Sequence, residues 1–154
     1  MGEDLKDMAL ARETMSEAVD RHYRAENSFD LDGVISTLHP SATCALQTFA
    51  LRISVMETIA ELHRRMFALF AGRVSEPTKR NEWYKEGGLS AEWEYTLTQA
   101  SGTQVRAKRV TLFEFTDGLI LSKRLFMDGA YSDLLREALG SDFLALPGVE
   151  KLGK

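Results

Sequence analysis

Three observations predict an α+β fold with helices first and an antiparallel sheet after them. Apolar residues recur every three or four positions as far as Gly72 and at every second position beyond it. The turn-forming pairs Gly87-Gly88, Ser101-Gly102 and Asp117-Gly118 separate the later runs. A chain of 154 residues with 44% apolar side chains suits one core, which would bury about 70% of the surface its unfolded form exposes. No repeat, low-complexity segment or linker divides it, so residues 1–154 read as one domain with its core at about 8–140 and a tail at 141–154.

The elements follow in order. Met8, Ala11, Met15, Val19 and His22 form one face of a long helix over about residues 4–26, which Asn27-Ser28 interrupts. Asp30 is placed to cap a short second helix carrying Leu31, Val34, Ile35 and Leu38, and Pro40 closes that helix at His39. A strand-like stretch runs from Ala42 to Phe49, and Ser54-Val55-Met56-Glu57 has the capping-box form of a third helix ended by Gly72. Strands are expected at about 73–86, 89–99, 104–116 and 119–128, the first at an edge or bulge because of Pro77. A last helix at about 132–139, started by Ser132 or Asp133, ends at Gly140; the tail after it packs or frays. Helices on one face of a curved sheet leave a cavity between the layers, a common place for a small ligand.

Composition excludes several functions. A net charge of −4 argues against nucleic acid, and the tight basic groups, His63-Arg64-Arg65 and Lys108-Arg109, read as a solvated helix face and strand residues. The opening Met1 to Asp7 is charged where a signal peptide would be apolar, and no apolar run approaches the roughly 18 residues of a membrane span. One cysteine, Cys44, excludes an intrachain disulfide and points to a reducing compartment, so a cytoplasmic protein is expected, with Cys44 a buried apolar group. The three histidines lack metal-site spacing, and phosphate-loop and nucleophile-elbow motifs are missing, so no cofactor is expected. Large and β-branched strand residues such as Trp93, Tyr95, Thr96 and Thr98 suggest a homodimer through the sheet.

The run Arg21-His22-Tyr23-Arg24-Ala25-Glu26-Asn27 leading into Asp30-Leu31-Asp32-Gly33 resembles the opening of SnoaL-like and ketosteroid-isomerase-like proteins, of the nuclear transport factor two-like superfamily. Phe113 to Ile120 followed by Phe126-Met127-Asp128 resembles their final hairpin, and Leu134 to Gly140 their closing helix. The resemblance, over residues 8–140, implies a cone-shaped α+β barrel with an apolar internal pocket for a hydrophobic small molecule. Such folds host isomerases, cyclases, dehydratases, epoxide hydrolases and non-catalytic binders. Counted from Asp30, the tyrosine of ketosteroid isomerases that donates to the oxyanion falls at His22, with Tyr23 beside it, and the general-base aspartate falls at Leu46. Against the limonene-epoxide-hydrolase-like pattern, Asp128 and Glu94 match the acids, while the arginine between them falls on Glu92. The acid/base aspartate of SnoaL-like polyketide cyclases also points to Asp128.

Each candidate has two readings. Asp128 is either a proton-transfer acid at the pocket rim or a cap before Gly129. His22 is either a donor to a bound carbonyl, oriented by Glu26 one turn later, or a core histidine with a satisfied partner. Glu94, with Glu92, either joins Asp128 or faces solvent or a partner, and Arg109 either bridges these carboxylates or makes a structural ion pair. Phe113 and Phe126 either wall the pocket or belong to core and interface, and Tyr23 is a second candidate, beside His22, for the donor to the developing enolate oxygen. Proton transfer on a hydrophobic carbonyl compound is the expected activity, with a receptor or carrier as the alternative and epoxide hydrolysis behind both.

Overall fold

The computed structural model describes residues 2–75 and 77–153. The first helix, α1, runs Gly2–Asn27, but only its second half is packed: Met15, Ala18, Val19, His22, Tyr23, Ala25 and Glu26 are buried, whereas Leu5, Met8 and Ala11 are exposed. Its end is a Schellman turn in which Asp30 N–H bonds Ala25 O and Phe29 N–H bonds Glu26 O. Phe29 occupies the left-handed position (φ 57°) that glycine usually fills there. The Asp30 carboxylate accepts from Gly33 N–H and caps α2 (Leu31–Ser36), as its position in the sequence suggests.

Helix α2 ends at Ser36 rather than His39, because Leu38 already belongs to strand β1 (Leu38–Leu46). Pro40 falls inside that strand, in the interval between Leu38 and Thr43 where pairing with its neighbour loses register. This is the local consequence of a residue with no N–H to give a ladder. Strand β2 (Leu51–Ile53) precedes α3 (Met56–Phe70). The expected Ser54 capping box does not form: Val55 is the N-cap without a side-chain bond, and Ser54 Oγ turns instead to Gly148 O at 3.5 Å. The tail has taken the cap's place, with Thr58 Oγ1 also donating to Pro147 O.

The meander then forms as the turn signals indicate: β3 (Thr78–Lys85), β4 (Gly88–Thr98), β5 (Gln104–Thr116) and β6 (Leu119–Met127). Asp117 (φ 52°) and Gly118 (φ 73°) make the doubly left-handed turn that suits a two-residue hairpin. Helix α4 covers Gly129–Leu139, and β7 (Val149–Lys151) closes the chain. The seven strands are ordered β3-β4-β5-β6-β1-β2-β7, a curved, unclosed sheet. It is antiparallel except where β1 runs parallel to β6. The tail packs rather than frays, with Phe143 buried and β7 paired to β2.

Alternation fixes the two faces. Leu89, Ala91, Trp93, Tyr95 and Leu97 of β4, with Ala107, Arg109, Thr111 and Phe113 of β5, are buried against the helices. Among the described residues, no helix is long and apolar enough to cross a membrane.

Candidate functional site

The same alternation that buries Phe113 also buries Arg109, four residues before it on β5. Lys123 of β6 pairs with Phe113 across the ladder and so faces inward too. Helix α1 brings His22 and Glu26 to them one turn apart, and α4 contributes Tyr131. Thus four elements that are distant in sequence place two cations, one carboxylate, an imidazole and a phenol inside an apolar core.

Their hydrogen bonds form a directed chain. Thr37 Oγ1 gives its hydrogen to Val34 O (2.6 Å), so it accepts from His22 Nδ1 at 2.7 Å. The other ring nitrogen, Nε2, therefore accepts from Lys123 Nζ at 2.8 Å, and the same ammonium donates to Glu26 Oε2 at 2.9 Å. The 3.1 Å approach of His22 Nε2 to Glu26 Oε2 is a meeting of two acceptors around that ammonium. Arg109 Nη1 donates to Glu26 Oε1 at 3.4 Å and to Tyr131 OH at 2.7 Å.

Burial, then the charge of Lys123, pulls the His22 imidazole down from 6.5 to about 4, so it is neutral at pH 7. Burial alone would raise Glu26, but Lys123 and Arg109 outweigh it and hold the carboxyl well below its usual range. Burial raises Tyr131 to about 12 even with Arg109 opposing, so its hydroxyl keeps its hydrogen. Because that oxygen accepts from Arg109, its hydrogen is available to a ligand.

Beside these groups lies a cavity of about 50 Å³, room for a few waters or one small organic group. Glu26, Tyr95, Arg109 and Tyr131 line its buried end, and Phe29 and Phe67 its exposed end. Phe29 meets Phe67 edge-on at 5.5 Å, so the unusual helix cap also forms the mouth.

Other sequence candidates lie elsewhere. Asp128 is exposed and caps α4: Oδ1 accepts from Tyr131 N–H at 3.0 Å and Oδ2 from Lys108 N–H at 2.8 Å. The helix thus starts at Gly129 and not at Ser132 or Asp133, since Asp128 supplies the cap. Glu94 is on the outer face, paired with Arg80 and Arg106, and does not meet Arg109. Phe126 is also on the outer face, 44% exposed, because the register of β5 and β6 sets it beside Val110. Phe113 and Tyr23 are core residues whose rings meet at 6.0 Å, and Tyr23 OH donates to Thr111 Oγ1. Cys44 is buried and its thiol is pushed up to about 11 by that burial.

Sequence spacing missed Lys123, Tyr131 and His63. Lys123 could have been found by alternation along β6 once its pairing with Phe113 fixed which way that strand faces; Tyr131 had no such signal. His63 gathers with His22 and Glu26, their ligating atoms all within 4.8 Å. Such a trio could hold a metal ion only if Lys123 withdrew, since its ammonium already bridges two of the three.

Residues 19–123 match the model of the SnoaL-like domain. Solved structures agree in fold. A protein from Jannaschia sp. CCS1 named as a candidate SnoaL-like polyketide cyclase superposes with a TM-score of 0.66 at 20% identity, over 78% of this chain and 89% of that one. TerC, crystallised with polyporic acid, gives 0.66 at 17% identity over 79% and 98%. Bal32a, from a soil-derived mobile gene cassette, gives 0.67 at 19% over 80% and 98%. No curated protein matches the chain. At these identities the likeness establishes the fold and leaves the chemistry to the residues.

Proposed function

Because the chain belongs to the SnoaL-like domain family, we propose that it is a cofactor-independent enzyme moving protons on a small hydrophobic carbonyl compound, by cyclisation, isomerisation or dehydration, in the chamber beside Glu26, Arg109 and Tyr131. The observation carrying this reading is the buried ion cluster. Buried ion pairs are often no more stabilising than apolar residues of the same size, so stability alone is a poor reason for three charged groups in this core. Perturbed titratable groups around a cavity are a common mark of chemistry.

A carbonyl oxygen against the Tyr131 hydroxyl, with Arg109 behind it, would be stabilised most as negative charge develops on it. The proton leaves the adjacent carbon for Oε1 of Glu26, and the electron pair moves onto the carbonyl oxygen. Its return at another atom of the substrate defines the product. An ionised Glu26 is ready to accept but is a weak base, so the reaction depends on the oxyanion contacts. His22 and Lys123 act as positioning residues that hold the carboxylate. The small chamber admits the reacting end of a substrate, with the rest lying along Phe29 and Phe67.

A receptor or carrier using the same chamber is the second reading, favoured by one observation: both oxygens of Glu26 are held by cations. Epoxide hydrolysis gains no support from an outward Glu94. Mass spectrometry of ligands that co-purify, followed by turnover of the compound found, separates the readings. The expected outcome is turnover by the wild type and a kcat about a hundredfold lower or more in Glu26→Gln. Equal rates would remove Glu26 from the chemistry, and binding without turnover would establish the receptor.

A further inference from the structure

Resting on the chamber assigned above as the ligand site, we propose that the ligand carries a carboxylate, which docks side-on against the Nε–Nη2 edge of Arg109. Together with the carbonyl at Tyr131, this makes the ligand class a small oxo acid.

Arg109 is 1% exposed, and its donors divide sharply. Nη1 is engaged by Glu26 and Tyr131, whereas Nε and Nη2 have no hydrogen-bond partner among the described residues. These two nitrogens form one edge of the guanidinium, the fork that matches both oxygens of a carboxylate in two parallel bonds. Buried donors left unmade are rare and destabilising, and Arg109 lines the cavity, so its unpaired edge suggests a partner.

Charge gives an independent argument. Among the described residues, Glu26 is the one anion facing two cations, Lys123 and Arg109. His22 and His63 face the same cluster and are neutral at pH 7, since burial pulls them to about 4 and about 3. The chamber therefore holds one uncompensated positive charge. The rings of Tyr23, Tyr95 and Tyr131, 5.3, 5.4 and 5.3 Å from the guanidinium carbon, soften that charge without neutralising it. A bound carboxylate would bring the interior to neutrality. Met66, Phe70 and Val74 around the cavity leave apolar contact for the remainder of a small molecule.

Pyruvate and pyruvamide, of nearly equal shape, test the inference in the wild-type protein without any substitution. Calorimetric titration at pH 7 is expected to show pyruvate binding about tenfold or more tighter than the amide. The Arg109 Nε–H proton resonance should move downfield as pyruvate saturates. Arg109→Lys keeps the charge opposite Glu26 but lacks the edge, and should bind the two compounds equally. Equal wild-type affinities would overturn the carboxylate while leaving the chamber as a ligand site. Pyruvate binding that left the Arg109 resonance unmoved, or that Arg109→Lys preserved in full, would overturn docking on this edge. Binding of neither compound would remove both the inference and the chamber reading beneath it.

Discussion

Glu26 and Asp128 both stand at the end of an element, beside a helix terminus, and the fold places them in opposite environments. Glu26 sits at the C-terminal end of α1, where a carboxylate gains nothing from the helix dipole, and depends on Lys123 and Arg109 for its charge. Asp128 sits at the N-terminus of α4, where backbone N–H groups of Tyr131 and Lys108 satisfy both its oxygens in contact with water. One carboxylate is ionised because side chains from two strands converge on it; the other is satisfied by backbone N–H groups of its own helix and of β5. Tyr131 joins the regions, its N–H bound to Asp128 and its hydroxyl to Arg109. Position relative to a helix end therefore says little about what an acid does. What approaches it from other elements decides.

The largest break in this comparison comes from removing the buried acid. Glu26→Ala leaves Lys123 and Arg109 unpaired in the core and is expected to lower the unfolding free energy by about 3–5 kcal/mol in a urea titration. A loss under about 1 kcal/mol would mean that water or rearrangement compensates them, and the contrast with Asp128 would collapse.

Acidification probes the same region without a substitution. His22 and His63 have folded values of about 4 and about 3 against 6.5 when unfolded, so between those values the unfolded chain binds more protons. Their stabilisation is whole above pH 6.5 and is lost as pH falls. Each should account for roughly 2 kcal/mol by pH 5, following 1.36 kcal/mol per unit. Glu26, with its value held below 4.5, adds its own loss only at lower pH. Thermal melts from pH 7 to pH 5 check this, and a flat profile across that range would show that the imidazoles are not held neutral.

The smallest effect belongs to the exposed acid. Asp128→Ala removes a helix cap and should lower stability by about 1 kcal/mol, with Asp128→Asn recovering most of it, because asparagine caps nearly as well. A hundredfold loss of turnover in Asp128→Asn with stability unchanged would reverse the assignments and return the proton transfer to Asp128.

Much of this was legible in the chain. The change of period after Gly72 and the glycine turns marked the sheet, and Asp30 marked a helix start, because each depends on residues within a few positions of one another. The helical step placed His22 beside Glu26. Where prediction failed, a distant segment had intervened. The tail at Pro147 and Gly148 displaced the Ser54 cap. The parallel pairing of β1 with β6 drew Leu38 out of the second helix. The registers of β5 and β6 turned Phe126 outward and Lys123 inward.

The sequence by itself determined the fold class and the order of helices and meander, since dihedral preference, capping and side-chain periodicity are local. Only the tertiary structure decided that Glu26 would meet Lys123 and Arg109 while Asp128 met backbone N–H groups. A carboxylate's charge state and partners depend on burial and on groups within a few ångströms, and those neighbours lie 83 and 97 residues away along the chain.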